Sequence, residues 1–394
     1  RHDGYAHLLG RGPTSWDPNW HRVLDSYEID APCWPVVVPP SRADLISVLL
    51  RTKDSAPGPD GLPYAFWRAY PSQATEAGTA LFDDIMAGSV APPSQVGVWI
   101  PKAKPGPYGD DYRPLGVPST IDRVLDAAIA ACCIRVLAPF MHPSQTMLNS
   151  FREPQGAIVH LQQILDDGRP AAVLSVDMSK AFERVNPFWA LAVLRGRGAP
   201  AWLLRYAQYL FFGRKIQHKV QGRLLPPRVV RQGVDMGRAF SVFMFCVAMD
   251  PVYWALNRIP RSLGVEGYVD DCSVAGELPL RDSPETTCLA WLRATREIYD
   301  WVASAGFLVL DHDCFWSQAC DAEGPPLATV FSGPLPCSVV VASPRRKWSS
   351  LWAAAKHGLS SVASAGCLLL GRNEQWVALS PPQVLEFLAG CFGC

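Results

Sequence analysis

Gly264-Val265-Glu266-Gly267-Tyr268-Val269-Asp270-Asp271-Cys272-Ser273-Val274-Ala275-Gly276 reads as strand, tight turn, strand, with glycines at both ends. Aspartate favours turns because its side chain can hydrogen-bond nearby backbone, so a polar hairpin loop is the plain reading of the centre. Two adjacent carboxylates in one turn also repel each other, and a bound cation would relieve that. Upstream, the apolar run Ala172-Val173-Leu174-Ser175-Val176 ends on a third acid, Asp177. One carboxylate ending a strand and two in a hairpin can hold a pair of Mg²⁺ ions, with Mn²⁺ as an alternative. Two such ions stabilise both the attacking and the leaving oxygen of a phosphoryl transfer.

The 394 residues carry no net charge, and 49% of them are hydrophobic, which is globular material with room for a substantial core. The charge is unevenly spread. From Arg195 to Arg238 there are ten basic residues and one acid, Asp235, whereas Asp311 to Val341 has four acids and no Lys or Arg. A basic segment in a neutral protein fits a phosphate-binding surface, and it fits a solvated face equally well by charge alone. The twelve cysteines are scattered, as expected of thiols in a reducing compartment. The terminal Cys391-Phe392-Gly393-Cys394 could be half of a zinc site, although a lone CxxC is weak evidence. No signal peptide is visible, and the run Phe240 to Met249 falls short of the ~20 residues that span a bilayer. The expectation is an intracellular protein, nuclear or cytoplasmic, that does not enter a membrane. A chain beginning at Arg1 is expected to be a fragment.

Residues 1–50 read as an irregular extension with a short helix from Arg42, capped by Ser41 with Asp44 in its first turn. The Pro/Gly-rich loop Ser55 to Pro63 follows, then helices to about Ala87. Val98-Trp99-Ile100-Pro101-Lys102 reads as a strand running into a loop, with the chain resuming at Tyr112-Arg113-Pro114-Leu115. Asp122 to Leu137 patterns as an amphipathic helix stopped by Pro139, and Trp291 to Ala303 as a further helix.

In order along the chain, these segments resemble the motifs of reverse transcriptases. Asp177-Met178-Ser179-Lys180-Ala181-Phe182-Glu183 and Tyr268-Val269-Asp270-Asp271 look like motifs A and C. Ala56-Pro57-Gly58-Pro59-Asp60-Gly61 resembles a segment of the non-LTR retrotransposon enzymes. Ile100-Pro101-Lys102 and Tyr112-Arg113-Pro114-Leu115 resemble a fingers signature shared with group II intron enzymes. Arg231-Gln232-Gly233-Val234 and Gly237 fall where motif B begins. The resemblance covers roughly residues 50 to 315, and several motifs in order are far more specific than one.

It implies an α+β right-hand polymerase core with an antiparallel palm sheet and packed helices. Fingers would occupy 51–170, palm 171–318 and a partial thumb or C-terminal region 319–394. The implied activity is RNA-directed DNA polymerisation. RNA template, DNA primer and deoxynucleoside triphosphates would be its partners and two Mg²⁺ its cofactors. By resemblance Asp177, the Met178 carbonyl, Asp270 and Asp271 ligate the metals. Lys102 and Arg113 would reach the triphosphate. Phe182 would lie under the sugar and exclude a 2′-hydroxyl, and Gly237 would let backbone approach the templating pair. For these four the competing readings are surface charge, core packing and an ordinary turn glycine. Arg214, Lys215, Lys219, Arg223, Arg228 and Arg231 would track nucleic-acid phosphates. Trp202, Tyr206, Tyr209 and Phe211 could stack on bases or fill the core.

Two segments depart from the family. Met236-Gly237-Arg238-Ala239-Phe240-Ser241-Val242 keeps the glycine and serine of motif B and lacks its glutamine and prolines. Ala305-Gly306-Phe307 leads to Asp311-His312-Asp313-Cys314, with no motif D lysine, where His312 could serve as the acid instead. Both changes fit a divergent enzyme or an inactive remnant that binds RNA or does nothing.

Overall fold

The structure is a computed structural model. It describes residues 34–101, 112–148, 163, 171–176, 181–220, 222–260, 262–269 and 271–277, and strands at 337–342, 368–370 and 376–378. Lys102, Asp177, Met178 and Asp270 lie outside the described residues, as do the expected helix at 291–303, His312 and the terminal CxxC. The chain divides into two compact units. One comprises residues 1–141, 180–249 and 305–307; the other comprises 142–179, 250–304 and 308–394.

In the first unit, α1 (Arg42–Arg51) starts as its sequence dictates. Ser41 Oγ accepts the Asp44 N–H at 3.2 Å and the Asp44 carboxylate accepts the Ser41 N–H at 2.9 Å, which closes a capping box. Helices α2 (Tyr64–Ala69) and α3 (Pro71–Ala87) follow, with Pro71 in the first turn of α3, where its missing N–H costs nothing. Strands β1 (Ser94–Pro101) and β2 (Tyr112–Val117) pair antiparallel from Val96↔Val117 to Pro101↔Tyr112. Helix α4 (Thr120–Leu137) runs on into a 3₁₀ turn, Ala138–Phe140, that absorbs Pro139. Leu45, Leu49, Ile85, Val124, Leu125 and Ile129 are buried, and each fully buried aliphatic side chain contributes about 1.5–3 kcal/mol.

Downstream in this unit come α5 (Ala181–Arg184), α6 (Pro187–Gly196), α7 (Ala201–Phe211), β4 (Lys215–Val220), β5 (Arg223–Leu224) and β6 (Arg228–Val229). The strand order is β2-β1-β4-β5, with β6 also on β4, and β1 and β4 run parallel.

Helix α8 (Ala239–Asn257) begins in the first unit and ends in the second. The sequence reading stopped its apolar run at Met249; the helix continues through Asp250 and Pro251. By length and composition it could cross a membrane, yet 78% of its apolar window is buried inside the protein.

The second unit is built on one antiparallel sheet. Its strands are β3 (Ala171–Val176), β7 (Ser262–Tyr268), β8 (Asp271–Glu277), β9 (Cys337–Ala342), β10 (Leu368–Leu370) and β11 (Trp376–Ala378), in the order β11-β10-β9-β3-β8-β7. The region expected to form a partial thumb thus supplies three strands to the sheet that carries the hairpin.

Candidate active site

The hairpin forms as its sequence predicts. Tyr268 pairs with Asp271, so the turn contains two residues, Val269 and Asp270. Two-residue hairpins need positive φ at their first central position, and Val269 supplies it at φ 58°. A β-branched residue in that region is a true outlier, with a cost of roughly 1–2 kcal/mol. Backbone strain of this kind concentrates at functional turns. On its other edge β8 pairs with β3, where Cys272 lies opposite Val176. Asp271 therefore opens β8 beside the end of β3, whose last described residue is Val176. Carboxylate oxygens are the donors that hard divalent cations prefer, and Asp177, Asp270 and Asp271 are residue types that fit Mg²⁺.

Behind the hairpin, Gly267 donates its N–H to the Ser144 carbonyl at 3.0 Å, and a Cβ at Gly267 would overlap the Tyr253 hydroxyl oxygen. The buried Asp250 Oδ1 accepts the His142 backbone N–H at 2.7 Å and the Gln145 amide at 2.8 Å. Burial lowers the His142 pKa to about 4. The ring is therefore neutral at pH 7, and its Nδ1 accepts the Ser144 N–H at 3.3 Å.

The nucleotide-side candidates belong to the first unit. Arg113 is exposed on β2, opposite Ile100 and therefore on the same face of the sheet. Phe182 is half-buried and stacks on Phe245, with ring centroids 5.0 Å apart. Gly237 has φ 104°, and a Cβ there would lie 2.8 Å from the Gly116 carbonyl oxygen. The Gly116 N–H in turn donates to the Met236 carbonyl at 3.0 Å, which ties this turn to β2.

The sequence reading put Gln232 and Gly233 where motif B begins, yet counted the motif's glutamine as lost and named only Gly237 as a site residue. Gly233 has φ 81°, and a Cβ there would come within 2.5 Å of the Glu183 carbonyl oxygen. Its N–H donates to the Val185 carbonyl, and the Val234 N–H to the Phe182 carbonyl, both at 2.7 Å. Gln232 Nε2 donates to the Arg184 carbonyl at 3.0 Å. The Gln-Gly pair therefore clips motif B onto the helix that carries Phe182. The adjacent Gln232-Gly233 was the available signal.

Arg214 is not a phosphate contact. It is 2% exposed, pairs with Asp235 at 3.1 Å and donates to the carbonyls of Gln232 and Gly233. Burial lowers its pKa, and Asp235 opposes that effect. Arg238 is buried as well, 3.6 Å from both Asp126 and Asp235. Burial works against its charge, but the surrounding acids outweigh burial and raise its pKa. Burial pushes the Asp126 carboxyl up, while Arg238, the Phe240 N–H at 2.9 Å and the Tyr206 hydroxyl at 3.1 Å hold it down. Arg197, the third interior arginine of the basic stretch, donates to the Phe140 carbonyl at 2.6 Å.

Lys215, Lys219, Arg223, Arg228 and Arg231 are exposed. Lys215 lies in register with Ser94 on β1 and Val229 on β6. The exposed Leu224, Val220 and Val229 lie opposite Lys219, Arg223 and Lys215 in the strand pairing. Tyr206 and Phe211 are buried, and the Trp202 indole donates to the Val37 carbonyl at 2.9 Å, so these aromatics serve the interior.

Residues 100–316 match the reverse transcriptase (RNA-dependent DNA polymerase) family. Over 212 residues the chain is 23% identical to the "Transposon TX1 uncharacterized 149 kDa protein" of Xenopus laevis, covering 50% of this chain and 16% of that protein. Over 221 residues it is 25% identical to the "Retrovirus-related Pol polyprotein from type-2 retrotransposable element R2DM" of Drosophila melanogaster, covering 54% and 20% respectively. The matched stretch is thus a fifth or less of either relative's length.

Proposed function

The chain belongs to the reverse transcriptase family, and on that premise we propose that it is the polymerase segment of a non-LTR retroelement protein. It copies RNA into DNA by adding deoxynucleotides to a primer 3′-hydroxyl. The observation that supports this reading is the strained two-residue hairpin, in which Asp271 opens a strand paired with β3, the strand that precedes Asp177 in sequence. Asp177, Asp270, Asp271 and the Met178 carbonyl would hold two Mg²⁺. When bound, the ions lower the pKa of the primer hydroxyl and neutralise charge on the departing pyrophosphate.

The protein's own groups bind and orient. Lys102 and Arg113 grip the triphosphate, as a point charge and a bidentate fork. Phe182 lies beneath the sugar, and its stacking on Phe245 fixes the ring plane that excludes a 2′-hydroxyl. Gly237 keeps the backbone free of a side chain where the templating pair approaches. Lys215, Lys219, Arg223, Arg228 and Arg231 neutralise template or primer phosphates, and the exposed apolar residues among them offer bases a surface to pack on. The site of action is intracellular, as this substrate set requires.

Purified protein given an RNA template, a DNA primer, Mg²⁺ and labelled deoxynucleotides is expected to extend the primer. Ribonucleotides are expected to be used poorly, and better by Phe182→Ala. A second reading, an RNA-binding remnant, is favoured by Asp311-His312-Asp313-Cys314, which has no lysine where motif D has one. RNA binding with no extension in Mg²⁺ or Mn²⁺ would establish that reading instead.

A further inference from the structure

The loop of residues 142–148 reaches both α8 and the base of the hairpin within the second unit. Gln145 forms an isolated parallel bridge with Gly267, and the neighbouring Ser144 carbonyl accepts the Gly267 N–H at 3.0 Å. Gly267 is the residue before Tyr268 and pairs across the hairpin with Cys272, which pairs in turn with Val176. A shift at Gly267 therefore moves both strands that end on acids. The loop is held from the other side by Asp250, which is 0% exposed and takes the His142 N–H and the Gln145 amide on a single carboxylate oxygen. Hydrogen bonds to a buried carboxylate are among the stronger ones. The Tyr253 hydroxyl, on the same helix as Asp250, packs where a side chain of residue 267 would stand.

Pro251 sits directly after Asp250 inside the helix. Proline there removes a helix hydrogen bond and disfavours helical geometry in the residue before it. Asp250 is thus fixed at a perturbed point of the helix by partners more than a hundred residues away in sequence.

We propose that Gln145 and Asp250 are positioning residues that set the placement of the Tyr268–Asp271 hairpin for metal binding. The proposal rests on the reading of that hairpin as the metal site. Neither residue touches substrate; both act through Ser144 and Gly267. Groups that orient metal ligands typically change metal affinity by roughly 10–100-fold when removed.

The test is Mn²⁺ binding to the folded protein with primer and template, read by electron paramagnetic resonance, for wild type, Gln145→Met, Asp250→Asn and Asp270→Asn. Gln145→Met keeps the volume and loses only the amide, and its Mn²⁺ midpoint is expected to rise roughly 10–100-fold. Asp250→Asn keeps an oxygen for both donors and is expected to stay near wild type. High Mn²⁺ should restore extension in Gln145→Met and not in Asp270→Asn. A Gln145→Met protein that binds Mn²⁺ like wild type, while Asp270→Asn does not, overturns the proposal and leaves the metal reading standing. Unchanged binding in Asp270→Asn overturns both. Should Gln145→Met not fold, Gln145→Asn, which keeps the amide and shortens its reach, carries the same expectation.

Discussion

Arg214 and Lys219 stand five residues apart in one basic stretch, the first buried and the second exposed. Lys219→Ala is expected to weaken RNA binding and lower the slope of log affinity against log salt by about 1, as the loss of one phosphate contact does. Arg214→Met removes one of the two arginines beside the half-buried Asp235, which keeps Arg238 at 3.6 Å, and takes the donor from the Gln232 and Gly233 carbonyls. It should destabilise the protein by about 1–3 kcal/mol in denaturant unfolding, and any loss of RNA binding should track the unfolded fraction. Sequence gave the charges of both residues and the depth of neither, because burial is set by how helices and strands pack. The same limit hid Arg197 and Arg238, so three of the ten basic residues counted toward a surface are interior. Val269 is the complementary case: its position in a tight turn was legible, and its strain was not. Val269→Asn, a residue that tolerates left-handed φ, is expected to raise thermal stability by about 1 kcal/mol. An unchanged or lower melting temperature would contradict the strain.

Elements with local causes were legible. The capping box of α1, the β7–β8 hairpin and α4 with its stop near Pro139 each depend on residues a few positions apart. The far half of α8 was not, because Asp250-Pro251 reads locally as a helix break. The break is overridden by tertiary partners: the His142 N–H and the Gln145 amide satisfy the carboxylate that would otherwise seek solvent. This element also sets a pH dependence. His142 titrates near 6.5 when unfolded and near 4 when folded. Between those values the unfolded chain binds more protons, so stability is fully present above about pH 6.5 and falls as pH drops toward 4. The loss reaches about 3 kcal/mol. Denaturant unfolding at pH 7 and pH 4.5 should show it in wild type, and much less of it in His142→Gln. Equal acid sensitivity in both proteins would assign the loss to carboxylates elsewhere.

At the scale of the whole molecule, the family was legible because several motifs stand in order, and residues 100–316 match that family. In sequence, the loss of the motif B prolines fitted a divergent enzyme and an inactive remnant alike. In the structure, Gln232 and Gly233 clip this segment to residues 182–185, and Asp126 with Arg238 holds the start of α8. Motif B is therefore anchored without them. Gly233→Ala, which drives a Cβ into the Glu183 backbone at positive φ, should unfold this clip and cost more than about 2 kcal/mol in thermal or denaturant unfolding. The central claim is that the acids of the hairpin and of Asp177 carry metal-dependent DNA synthesis on RNA. Its most direct test is primer extension on an RNA template with Mg²⁺, comparing wild type, Asp177→Ala and Asp270→Ala at matched RNA binding. Extension by wild type, with a loss of roughly 10³-fold or more in either variant, is the predicted result. Equal extension by all three proteins would contradict the account.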